Sequence, residues 1–100
     1  MTEYTNRELR REILKILAVV AFSSLPVSSI LRSMIPSGFE GLLVEDLIKQ
    51  IKYLEQKAYL KTHMAKNYIT KEETLMAAIT AEGMDIREGT KTDPGVENCV

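Results

Sequence analysis

The sequence predicts a single α+β domain in which a three-helix core is followed by a two-stranded hairpin and a short closing helix. Two observations carry that reading. Apolar residues recur at helical spacing in successive stretches up to about residue 57, and the period then changes to alternation over Tyr59–Met64, the mark of a strand. The size agrees: a chain of 100 residues, 45% hydrophobic and 27% charged, has the ordinary composition of one globular unit. At that length about 65% of the unfolded surface is buried, enough for a core without disulfide or metal staples.

The first helix opens at Thr5-Asn6-Arg7-Glu8, a capping-box pattern in which Thr5 and Glu8 satisfy two orphan amides. Leu9, Ile13, Ile16, Leu17 and Val20 then form one apolar face. Leu14, Ala18 and Ala21 lie on a neighbouring face and are apolar as well. One buried stripe suffices for an amphipathic helix. A second stripe is therefore read as a homodimer interface made by Leu14, Ala18 and Ala21, or as the wall of a helix enclosed by its own domain. Ser23-Ser24-Leu25-Pro26 breaks the helix, and Pro26 suits the first turn of a second, whose inward face is Val27, Ile30, Leu31 and Met34. Ile35-Pro36-Ser37-Gly38 ends it. A third helix is expected from Leu42 to Lys57, with Leu43, Leu47, Ile51 and Leu54 inward and Val44 and Ile48 flanking them. Lys49, Gln50, Lys52, Tyr53 and Gln56 take the outer surface.

Tyr59–Met64 and Thr74–Ile79 read as strands joined by a loop over Ala65–Glu73. Thr80 is placed to cap a closing helix, with Glu82 and Asp85 near its positive end. The domain is expected to span residues 1–88, and residues 89–100 to form an acidic tail, an ordered turn or a loose one.

Formal net charge is −1, but it is unevenly spread: residues 1–80 carry +2 and residues 81–100 carry −3. Bulk charge therefore does not hold this chain to nucleic acid. The single cysteine, Cys99, excludes an internal disulfide and a cysteine metal knuckle, and it has no basic neighbour to make it a nucleophile. With one histidine, His63, a histidine metal site or a serine–histidine triad has too few members. No glycine-rich phosphate loop or paired-carboxylate site is visible, so no enzyme, cofactor or metal is expected. The apolar stretch Ile13–Phe22 contains Lys15 and is too short to span a bilayer, so no membrane association is expected and a cytoplasmic setting is.

Three helices followed by a hairpin, with the longest helix third, is the order of a winged helix-turn-helix domain. Leu54-Glu55-Gln56-Lys57-Ala58-Tyr59-Leu60 resembles the passage by which such proteins leave the recognition helix and enter the wing. Ile79-Thr80-Ala81-Glu82-Gly83-Met84 is similar to the passage that follows the wing's second strand. With Arg87-Glu88-Gly89 and Asp93-Pro94-Gly95-Val96, the chain over about residues 7–96 resembles the small winged-helix proteins of Mu-like prophages. Ala58 stands where that family usually has glycine, so the helix exit is expected to use a different backbone turn.

The resemblance implies sequence-specific binding of double-stranded DNA by a small transcriptional regulator, with the third helix in the major groove and the wing on phosphate or the minor groove. Lys49, Gln50, Lys52, Tyr53 and Gln56 are then the candidate contacts, joined by Arg32, Lys66 and Lys71 around them. A solvated helix face explains the same residues without DNA. Glu40, Glu45, Asp46 and Glu55 also balance Lys49, Lys52, Lys57 and Lys61 over residues 40–63. That neutrality suits the alternative function, a protein-interaction or assembly module. Alternation on the strand makes His63 a half-exposed surface residue.

Overall fold

A computed structural model describes residues 4–97. Helix α1 (Asn6–Val19) begins where Thr5 accepts a hydrogen bond from the Glu8 N–H at 3.1 Å, one half of the expected box. It ends earlier than the Ser23–Pro26 break. Ala21 (φ 32°) and Phe22 (φ 68°) turn the chain through left-handed backbone, at a cost of roughly 1–2 kcal/mol per residue for side chains other than glycine. Leu25–Pro26 forms a two-residue strand, β1, which the sequence did not announce. Pro26 caps helix α2 (Val27–Met34) rather than opening it. One 3₁₀ turn over Ile35–Ser37 closes on Gly38 at φ 100°.

Helix α3 (Val44–Gln56) is slightly shorter than expected, with Leu43 as its N-cap. Ala58 follows at φ 67°. The exit thus takes the left-handed turn that glycine favours, with alanine in that place, which corrects the expectation of a different turn. Strands β2 (Leu60–Lys66) and β3 (Glu73–Ile79) pair antiparallel from Leu60↔Ile79 to Lys66↔Glu73. The short β1 pairs on the other side of β3 through Leu25↔Ala77 and Pro26↔Met76, giving the sheet order β1-β3-β2.

Helix α4 (Ala81–Glu88) starts as its sequence predicts. Thr80 accepts from the Gly83 N–H at 3.1 Å, and its hydroxyl donates to the Ala58 carbonyl at 2.6 Å. Gly83 is required by close approach, since a Cβ there would lie 2.2 Å from the Tyr59 carbonyl oxygen.

The core gathers Leu9, Ile13, Leu14 and Leu17 of α1, Ile30 and Met34 of α2, Leu47, Ile51 and Leu54 of α3, and Ile79 of β3. Helix α1 touches α2, α3, α4 and β3, and the domain itself covers Leu14, the first member of the second stripe. This corrects the proposed interface: Leu14 is 0% exposed in its own core, and Ala18 packs partly buried against that core. Ala21 lies past the helix in the exposed turn. The three do not form a common outward face.

The chain beyond α4 does not simply hang from the domain. Val96 is 4% exposed within the core cluster, and the Glu97 N–H donates to the Arg7 carbonyl at 3.2 Å. The edge of the core therefore lies beyond the division drawn at residue 89. Cys99 falls outside the described residues.

Candidate nucleic-acid interface

The core face of α3 is set by Leu47, Ile51 and Leu54, which leaves the positions one helical face away in solvent. Glu45, Lys49, Lys52 and Gln56, at spacings of four, three and four, form one exposed stripe. Lys52 reaches Glu55 at 3.7 Å, a surface pair worth well under 1 kcal/mol, so its ammonium stays available. Asp46 and Glu45 occupy the first turn, where they complement the helix dipole. Leu43 and Val44, beside them, are exposed apolar residues, which corrects the inward place expected of Leu43 and leaves Val44 outside the flank expected of it.

Two of the expected contacts belong elsewhere. Gln50 is only 9% exposed, and its Oε1 accepts a 2.7 Å bond from Arg10 Nε. Its expected place on the outer surface is corrected: the adjacent flank of α3 is covered by α1. Tyr53 is half-buried, with the Arg10 guanidinium 3.6 Å above its ring centre. The other flank of α3 is tied to the wing, where the Thr62 hydroxyl donates to the Glu55 carboxylate.

Arg32 is exposed in the last turn of α2, its Nε 3.5 Å from the Ser28 carbonyl. Lys66 and Lys71 are exposed on the wing, at the end of β2 and in the loop beyond it. That loop is closed by local bonds: Asn67 Oδ1 accepts from the N–H groups of Ile69 (2.9 Å) and Thr70 (3.2 Å), and the Asn67 carbonyl accepts from the Lys71 N–H at 2.7 Å. At its tip Tyr68 and Ile69 are 83% and 92% exposed, two large side chains held in water between the lysines. Nothing in the composition of the loop distinguishes an outward tyrosine from an inward one, so neither stands out in the sequence. His63 is exposed opposite Met76.

Behind this surface lies a polar cluster missed from sequence. The Tyr59 hydroxyl donates to Asp93 Oδ2 at 2.5 Å, and the Gly95 N–H donates to Asp93 Oδ1 at 2.7 Å. Burial, reinforced by the Asp93 bond, pushes the Tyr59 phenol up to about 12. The bond from Tyr59, with that from Gly95, holds the Asp93 carboxyl below the usual carboxylate range, helped by the charges of Lys57 and Lys91. Arg10 Nη1 donates to the Gly95 carbonyl at 2.8 Å. Only the turn-forming Asp-Pro-Gly run was legible beforehand; its partners are far away in sequence. Among the described residues there is no group of three or more metal-ligating side chains, and no helix is long and apolar enough to cross a membrane.

The fold and this exposed face define a winged-helix domain, and solved structures bear that out. A PadR family transcription regulator from hypervirulent Clostridium difficile R20291 aligns with a TM-score of 0.66 and 18% identity, over 82% of this chain and 81% of that one. Smu.1704 from Streptococcus mutans UA159 aligns with a TM-score of 0.60 and 21% identity, over 84% and 74%. At these identities the likeness is one of fold. The sequence matches no protein family model and no curated protein.

Proposed function

We propose that this domain is a DNA-binding transcription regulator. It would read double-stranded DNA with α3 in the major groove and steady itself on the backbone with the wing. The observation that carries the reading is the open α3 stripe of Lys49, Lys52 and Gln56, in a fold shared with a transcription regulator. Lysines there pair with phosphate or guanine and the glutamine with adenine, while Arg32, Lys66 and Lys71 contact phosphate around them. Gln50 and Tyr53 act behind that surface.

A homodimer would give such a reader two half-sites. With Leu14 buried, its interface has to lie elsewhere, and Val19 and Phe22, exposed at the end of α1, are the apolar residues nearest the original assignment. A cytoplasmic setting fits this role, and a prophage origin rests on the Leu54–Leu60 and Ile79–Met84 passages.

The test is selection from a random duplex pool followed by fluorescence anisotropy at about 50 and 200 mM salt. One enriched sequence is expected, bound more weakly as salt rises. Lys49→Glu with Lys52→Glu should abolish binding while leaving the melting temperature nearly unchanged. Affinity that survives this double change places the contact surface elsewhere. A second reading, a protein-interaction module, is favoured by the exposed Leu43 and Val44 next to Glu45 and Asp46. Absence of DNA binding at low salt, with a partner captured through those four residues, would establish it.

A further inference from the structure

Gln50, Tyr53 and Lys57 follow one another at helical spacing and form a stripe along the end of α3. Each is one residue beyond Lys49, Lys52 and Gln56, so the two stripes lie side by side. The polar and stacking contacts that reach the first stripe from other elements come from the start of α1 and residues 93–97. Arg10 stacks on Tyr53 at 3.6 Å, donates to Gln50 at 2.7 Å and donates to the Gly95 carbonyl at 2.8 Å. Asp93 sits 3.8 Å from Lys57 Nζ and accepts the Tyr59 hydroxyl at the start of the wing. Gly95 lies so close to Tyr53 that a Cβ on it would be 2.2 Å from the Tyr53 hydroxyl oxygen. Val96, buried in the core, pins the segment down.

We infer that residues 93–97 form a strap that sets the rotation of α3 about its own axis, with Arg10 as the positioning residue that joins strap to helix. Apolar contacts on the core face are not directional, and on the other flank of α3 the Thr62 hydroxyl bonds Glu55, so the orientation of the flank bearing Gln50 and Tyr53 depends on directional bonds of its own. A planar guanidinium bonded on one edge to Gln50, on another to Gly95 and lying flat on Tyr53 supplies them. A roll of α3 moves every side chain of the Lys49–Lys52–Gln56 stripe across the groove it would read. The strap therefore determines how specifically the stripe reads DNA without touching DNA itself. This rests on the DNA-binding reading above, so the experiment includes a measurement that does not need DNA.

Gly95→Ala sets a Cβ 2.2 Å from the Tyr53 hydroxyl oxygen, so strap and ring must part. Tyr53→Phe in the same chain removes that oxygen while keeping the ring under Arg10, leaving Asp93 Oδ1 at 3.1 Å and the ring Cζ at 3.2 Å as tight contacts. Asp93→Asn provides a gentler release. The full chain is assayed on the selected duplex and on a scrambled one, and amide hydrogen exchange is followed in α1 and α3.

Gly95→Ala is expected to weaken specific binding about tenfold or more, the loss from one or two base-edge contacts out of register. Binding to the scrambled duplex and its salt dependence should stay the same. Exchange should quicken in α3 and not in α1, and the added Tyr53→Phe should recover most of the loss in both readouts. Specific binding within about twofold of the parent, with α3 exchange unchanged in Gly95→Ala and Asp93→Asn, overturns the strap. Equal loss on both duplexes with exchange quickened throughout also overturns it, since the segment would then only stabilise the fold. Should the parent chain bind no duplex, the DNA reading fails, and faster exchange confined to α3 still decides for the strap or, if absent, against it.

Discussion

At the wing tip Asn67 Oδ1 accepts the N–H groups of Ile69 and Thr70; in the strap Asp93 Oδ1 accepts the N–H of Gly95. The two turns share the same local chemistry, a short polar side chain folded onto the backbone just ahead of it. Beyond that they diverge. The wing tip makes its bonds within residues 67–72 and leaves Tyr68 and Ile69 in water, whereas the strap reaches α1, α3 and Tyr59 just before β2 and buries Val96. Turn chemistry decides that a loop is ordered. Partners distant in sequence decide whether it belongs to the core or to the surface that meets other molecules.

The contrast is most easily broken from the strap side. Tyr59→Ala removes a buried ring and the hydroxyl that anchors Asp93, and should cost about 3–5 kcal/mol in urea unfolding. A loss below about 1 kcal/mol would mean that the strap is no more integral than the wing tip.

Acid and alkali then sharpen it. The Asp93 carboxyl is depressed in the folded chain, so its contribution is present above the ordinary carboxylate value near 4 and is lost as pH falls through the folded value. The Tyr59 phenol is raised, so its contribution is present below about 10 and is lost as pH climbs towards about 12. The urea midpoint should therefore fall on both sides of a broad neutral plateau. Asp93→Asn should flatten the acid side and shallow the alkaline one. An unchanged profile in that variant would detach the pair from stability.

The smallest effect belongs to the wing. Tyr68→Ala and Ile69→Ala should each move stability by less than about 0.5 kcal/mol, since neither side chain is covered. A larger shift in dilute protein would show that the tip is packed in solution.

What could be read beforehand follows the same division. Helix α3, the hairpin and the Thr80 cap are written in local patterns, a 3.6-residue period, an alternation and a single hydroxyl, and each stands within a residue or two of its expected place. Strand β1 is two residues long and includes Pro26, so it has no period to detect. Among the candidate contacts, Lys49, Lys52 and Gln56 lie outward as their spacing implies. Gln50 sits at the margin of the stripe, where polarity alone could not reveal that Arg10 would cover it. Leu14 was legible as apolar, but whether its own domain or a partner covers it depends on how many elements surround α1.

The bond from Arg10 to Gly95 joins positions 85 residues apart. On a ribosome adding about 5–20 residues per second, the guanidinium precedes its acceptor by roughly 4–17 s. The rest of α1, helices α2 and α3 and the hairpin are all made in that interval. The sequences of α2, α3 and the wing thus exist before Gly95 does, and the flank of α3 is closed by a segment that the ribosome supplies only after the surface it covers.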